Sequence, residues 1–104
     1  MSLGDLIAAL ERLDPTLRVP LGFGHPHSYR GYYDELAFEP RENVTIGAML
    51  ADARSALGST YEGWKGGDYT MSEYTPVHLA HEGHIGEELG PFFLGLILKD
   101  ARHD

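Results

Sequence analysis

Two segments of this 104-residue chain carry apolar residues at helical spacing, and glycine or proline interrupts most of the remainder. In the first segment, over residues 2–13, leucine and isoleucine recur on one helical face at positions 3, 6, 7, 10 and 13. Ser2 stands at the N-cap position and Asp5 follows at capping-box distance. Asp14-Pro15 then ends the helix, because the residue before a proline disfavours helical torsions.

The second segment begins at Thr45, which is a suitable N-cap residue, and Gly58 stands where a left-handed residue commonly ends a helix. Between them an apolar stripe is formed by Ile46, Met49, Leu50, Ala53 and Leu57. The sequence therefore predicts two short amphipathic helices.

The remaining apolar segments are short and favour strands. Residues 17–23 alternate apolar with polar side chains, and Pro20 favours an edge position because it lacks a backbone donor. We predict a strand at 36–39, a polar connector at 41–44 and an exposed loop at 81–90. Further strands are predicted at 59–64, 69–71, 76–80 and 92–98, as an antiparallel meander around a turn at 65–68. The expected fold is one α+β domain over 1–104, a two-layer sandwich with both helices on an antiparallel sheet.

Composition excludes several classes of function. The chain has 16 acidic and 8 basic residues, for a net charge of −8, which argues against binding to nucleic-acid backbones. It has no cysteine, so disulfides, thiolate metal sites and cysteine nucleophiles are excluded. The longest apolar stretch near either end, 92–98, is too short to cross a membrane, and the N-terminal segment lacks the basic start of a secretory signal. We therefore expect a cytoplasmic protein without membrane contact.

The first candidate site lies in a segment rich in glycine and aromatic residues, over 22–33. Its candidate ligand-binding residues are Ser28, Tyr29, Arg30 and Tyr32. A guanidinium can hold a phosphate or carboxylate with two parallel hydrogen bonds, and neighbouring rings can stack on a base. The alternative is that the tyrosines pack in the core and that Arg30 pairs with Asp34 or Glu35.

The second candidate site surrounds the single tryptophan, and its residues are Trp64, Lys65, Gly66, Gly67 and Tyr69. Paired glycines let backbone N–H groups approach an anion while Lys65 adds positive charge. The alternative is a plain hairpin turn whose glycines only satisfy turn geometry. The spacing is not that of a Walker phosphate-binding loop.

The histidines and acidic residues give a weaker signal. His78, His81 and His84 repeat every third residue, but no carboxylate or thiolate spacing accompanies them, so we expect no metal. Serine, histidine and acidic residues occur without a nucleophile elbow or an oxyanion-hole sequence. We therefore predict no catalytic residues, no cofactor and no enzymatic activity.

Three stretches of the sequence resemble small proteins of tailed bacteriophages and prophages. They are Ser28-Tyr29-Arg30-Gly31 with the tyrosine and leucine that follow, Gly47-Ala48-Met49-Leu50 in the second helix, and the Trp64-Lys65-Gly66-Gly67 block with its flanks. The likeness covers about residues 10–83. It implies a phage accessory protein that acts in the cytoplasm of the bacterial host.

From this resemblance we expect a binding protein. One class of small phage proteins sequesters nucleotide-derived immune signals in homo-oligomers, so the leading expectation is capture of a small anionic ligand of the cyclic ADP-ribose type. One alternative is an acidic inhibitor of a host nucleic-acid-binding or defence enzyme, for which the net charge would steer encounter. The others are a small virion component and a small hydrolase that uses the histidines.

Overall fold

The first helix, α1 (Leu3–Glu11), forms where its stripe and cap predict it. The computed structural model describes residues 1–29, 32–62, 68–81 and 84–103. The Ser2 hydroxyl accepts a hydrogen bond from the N–H of Asp5, and the Asp5 carboxylate accepts one from the N–H of Ser2. The predicted capping box is therefore confirmed. The helix ends shortly before residue 13, and its buried face consists of Leu3, Leu6 and Leu10.

The second helix, α2 (Ile46–Ala56), is also confirmed with its caps. The placement of Leu57 in its apolar stripe is wrong, because the helix ends at Ala56 and Leu57 is an exposed C-cap residue with extended torsions. The Thr45 hydroxyl accepts a hydrogen bond from the N–H of Ala48 at 3.0 Å. Gly58 has a φ of 81°, the left-handed conformation that glycine adopts without strain.

The strands form two sheets. The larger contains β1 (Arg18–Tyr29), β2 (Tyr32–Thr45), β5 (Val77–His81) and β6 (His84–Glu88) in the order β1-β2-β5-β6. The smaller pairs β3 (Thr60–Glu62) with β4 (Asp68–Thr70). The edge position predicted for residues 17–23 is confirmed, since β1 borders the larger sheet, and the strand continues to Tyr29.

The expected antiparallel sheet is wrong, because β2 and β5 run parallel. Parallel neighbours need a long crossover connection. Here α2 and the β3–β4 pair supply it, so a meander is impossible between these strands. The α+β class itself is confirmed.

Three local predictions are also wrong. The expected connector at 41–44 belongs to β2, and the expected loop at 81–90 contains β6. Because β6 is an edge strand, backbone pairing with β5 suffices and no apolar alternation is needed. The expected strand at 92–98 is a third helix, α3 (Pro91–Leu98). A continuous apolar run does not separate strand from helix, whereas Pro91 in the first turn is typical of a helix start.

The buried apolar side chains form one cluster that draws on all three helices and on β1, β2 and β5. Phe23 of β1 and Phe38 of β2 are both fully buried in it, with ring centroids 5.0 Å apart. Tyr61 of β3 packs against the same cluster, which attaches the smaller sheet to the larger one.

Candidate functional site

The first block predicted from the sequence lies where β1 ends and β2 begins. The backbone of Ser28 and Tyr29 forms the last two positions of β1, and Tyr32 begins β2 opposite Tyr29. Arg30 lies outside the described residues. The block therefore belongs to the end of a long antiparallel hairpin, where the strands themselves fix the backbone on both sides.

The second block begins in sequence after β3 and ends within β4. Tyr69 is the middle residue of β4 and pairs with Tyr61 of β3. Trp64, Lys65, Gly66 and Gly67 lie outside the described residues. The turn predicted at 65–68 overlaps β4 at Asp68, and the rest of that prediction also lies outside the described part of the chain.

The two hairpins contact each other: β3 lies against β1, and β4 lies against β2. The chain thus brings together the two elements that carry the candidate blocks, which are far apart in sequence. Partial burial of the Tyr61 side chain against the core raises the pKa of its phenol above the usual value.

A bulge bends β1 on its way to the first block. It lies between Gly24 and His27, and His25 there has a φ of 50°, which is uncommon outside glycine. The N–H of His25 donates to Asp52 Oδ2 of α2 at 3.1 Å. Arg41 Nη1 lies 3.9 Å from the same carboxylate oxygen. The Asp52 carboxylate therefore links the bulge in β1 to α2.

A row of histidines and glutamates crosses the larger sheet and was missed by the sequence analysis. Glu35, Ala37 and Glu39 alternate along β2, so their side chains share one face. On that face His27 Nε2 lies 2.8 Å from Glu39 Oε1, and His78 Nε2 lies 3.4 Å from Glu35 Oε2.

This His–Glu row (His27, Glu35, Glu39 and His78) is assembled by the strand register, because both histidines stand opposite Ala37. The signal in the sequence is the spacing of Glu35 and Glu39 along a strand. The histidines of the row come from two different strands, so their spacing in the sequence does not reveal it. An imidazole beside a carboxylate can hold or exchange a proton. The row offers no excess of positive charge, so it does not suit an anion.

The repeat of His78, His81 and His84 is divided between two strands. His81 ends β5 and its backbone pairs with His84, which begins β6. Among the side chains that the structure describes, no group of three or more histidines and acidic residues is placed to hold a metal ion.

Two surface grooves lie away from the predicted blocks. One, of about 450 Å³, is lined by Ser2, Gly4, Asp5, Glu73 and Tyr74. A hydrogen bond to Glu73 and the charge of that residue raise the pKa of the Tyr74 phenol, and the carboxylates make this groove unsuitable for an anion. The other, of about 290 Å³, is apolar and lies between β1 and α3.

Comparison of the chain with protein-family models, with curated proteins and with solved structures finds no match. The resemblance to phage proteins therefore stays a prediction. No helix in the part of the chain described above has both the length and the apolar character needed to cross a membrane.

Proposed function

We propose that this protein is a non-enzymatic accessory protein of a phage that binds and sequesters a small anionic ligand in the host cytoplasm. The ligand we propose is a nucleotide-derived immune signal of the cyclic ADP-ribose type. The observation that supports the proposal is the packing of two hairpins, β1–β2 and β3–β4, whose strands contain Ser28, Tyr29, Tyr32 and Tyr69 of the two candidate blocks. We also propose the two-layer arrangement expected from the sequence, with helices packed on a sheet.

The residue types of the two blocks suit different parts of a nucleotide. Arg30 would donate two parallel hydrogen bonds to a phosphate, and Lys65 would add a second cation with the backbone N–H groups of Gly66 and Gly67. Tyr29, Tyr32, Trp64 and Tyr69 would offer ring faces for adenine, and the Ser28 hydroxyl would bond a ribose or phosphate oxygen. These roles need no covalent step, in agreement with a binding protein.

The acidic-inhibitor alternative receives less support, because several carboxylates already have local partners. Glu11 pairs with Arg54, Asp52 with Arg41, and Asp14 with His103. Carboxylates that are paired within the protein present less of their charge to a basic partner.

The decisive experiment is calorimetric titration of the full chain with cyclic ADP-ribose, with adenosine as the uncharged probe. Arg30→Ala combined with Lys65→Ala should weaken binding about 100-fold or more, because two charge-assisted contacts are lost. The wild type should bind adenosine at least about tenfold more weakly than the nucleotide, for the same reason.

The matched control is Arg12→Ala combined with Arg102→Ala, which removes the same charge from two exposed side chains outside both hairpins. This control should bind like the wild type. Equal affinity of the wild type and of the Arg30 and Lys65 double variant would show that the site is wrong. Failure of the wild type to bind any phosphate-bearing nucleotide would overturn the function itself.

A further inference from the structure

The helix α3 is apolar on all of its sides, which is unusual for a helix at a protein surface. Its sequence is Pro-Phe-Phe-Leu-Gly-Leu-Ile-Leu, and only Leu94 is fully buried. Phe92 is 81% exposed and Leu96 is 48% exposed, one turn apart on the same side. An all-apolar helix is normally covered on every side, so this outer side lacks a cover within the described protomer.

The exposed side continues onto the edge of the sheet. Leu21 of β1 is 70% exposed and borders the apolar groove beneath the helix. Phe93, Leu96 and Ile97 line the other wall of this groove. We call the surface formed by Leu21, Phe92, Gly95 and Leu96 the α3 face. A continuous apolar surface of this kind marks an interaction site.

The charges around the α3 face are arranged for self-association. Residues 89–99 contain no acidic side chain in a chain with a net charge of −8, and their one charged residue is Lys99. Asp100 follows directly and lines the apolar groove. Exposed Glu88 stands just before the helix, where its carboxylate lies 3.3 Å from the terminal amine of Met1, and Lys99 stands just after it. When two copies pack antiparallel, each Lys99 lies at the Glu88 end of its partner, whereas parallel packing would place like charges together.

Gly95 gives an independent reason for a helix partner. It is exposed in the middle of α3, and a Cβ added there would meet no atom within 4 Å. A glycine inside a helix costs about 1 kcal/mol relative to alanine, and no contact with the described residues requires a glycine here. Because Gly95 has no side chain, a second helix that crosses α3 at this position could approach it closely.

We infer that two copies of this chain form a dimer of twofold symmetry through the α3 face, with the two α3 helices antiparallel and crossing at Gly95. A membrane is the poorer fit, since the negative net charge would be repelled by anionic lipids. The α3 face would then be the interface of the homo-oligomer expected from the sequence. It does not depend on ligand capture, because none of its residues belongs to the two candidate blocks.

Sedimentation velocity of the full chain over a concentration series tests this dimer. An interface built on one eight-residue helix is smaller than the ~800 Å² per partner of standard complexes, so we expect a Kd on the order of micromolar. Phe92→Glu should raise that Kd at least about tenfold, because a charge replaces an apolar contact. Circular dichroism should show an unchanged fold, since Phe92 is exposed. Leu57→Glu, at an exposed apolar position on α2's end, is the control and should leave the Kd unchanged.

Charge removal tests the orientation of the helices. Lys99→Gln and Glu88→Gln should each weaken the dimer, and the combined variant should lose less than the two single losses together, because only antiparallel packing brings these positions together. Neutral substitutions are used because a lysine at position 88 would stand beside the terminal amine of Met1. Three results would overturn the inference: a wild type that stays monomeric at millimolar concentration, a Kd unaffected by Phe92→Glu, or strictly additive losses when Lys99→Gln and Glu88→Gln are combined. A monomeric wild type that instead binds vesicles of phosphatidylcholine and phosphatidylglycerol would assign the α3 face to lipid.

Discussion

At the scale of single residues, the clearest electrostatic effect is at Asp14, after α1. Its carboxylate accepts hydrogen bonds from the Thr16 N–H at 2.9 Å and the Thr16 hydroxyl at 2.7 Å, and His103 Nε2 lies 2.8 Å away. These contacts, with the backbone N–H of Thr16 first among them, lower the pKa of Asp14 from 3.8 to about 2. The ionised form is therefore favoured in the folded protein.

This shift predicts a dependence of stability on acid. Because the folded pKa lies below the unfolded one, the stabilisation is complete above about pH 4 and is lost as the pH falls through about 2. Asp14→Asn should lower the free energy of unfolding at neutral pH, and its deficit relative to the wild type should shrink between pH 4 and pH 2. Urea titrations over that range measure it. The control Glu42→Gln, at an exposed position on β2, should show a smaller change, and a deficit that stays constant with pH would contradict the assignment.

At the scale of elements, sequence reasoning succeeded where two local signals agreed. Both α1 and α2 have an apolar stripe and an N-cap residue, and both form as predicted. It failed where pairing partners decide the outcome. The strand β6 depends on its neighbour β5, and the apolar run of α3 fits a strand as well as a helix until its starting proline is considered.

The packing of α2 on the β1–β2 hairpin predicts a strong effect at Gly22. A Cβ at this position would lie 2.4 Å from Val44 Cγ1 and 3.0 Å from Met49 Sδ, and both side chains are buried. Gly22→Ala should therefore destabilise the protein by about 1–3 kcal/mol through overpacking. Urea denaturation of the monomer at low concentration measures this change.

The matched control for Gly22 is Gly95→Ala, which enters open space on α3. Alanine has a higher helix propensity than glycine, so Gly95→Ala should raise the free energy of unfolding of the monomer by up to about 1 kcal/mol. If both substitutions had the same effect, the close contact of β1 with α2 would be wrong.

At the scale of the whole molecule, the sequence predicted the α+β class but not the mixed sheet, since the parallel contact of β2 with β5 depends on a crossover that no local pattern encodes. The same limit applies to sites. The His–Glu row exists only because the register sets His27 and His78 on either side of Ala37. The two predicted blocks, in contrast, are each contiguous in sequence, so they could be singled out without knowledge of the strand register.

The central claim is that the two candidate blocks capture a nucleotide. Native mass spectrometry of the full chain after incubation with an extract of phage-infected bacteria tests this claim most directly. We predict that the wild type and the Arg12→Ala, Arg102→Ala control carry one nucleotide per protomer. The Arg30→Ala, Lys65→Ala variant should carry none. A wild type without any bound small molecule, or the same load on the Arg30 and Lys65 variant, would contradict the account.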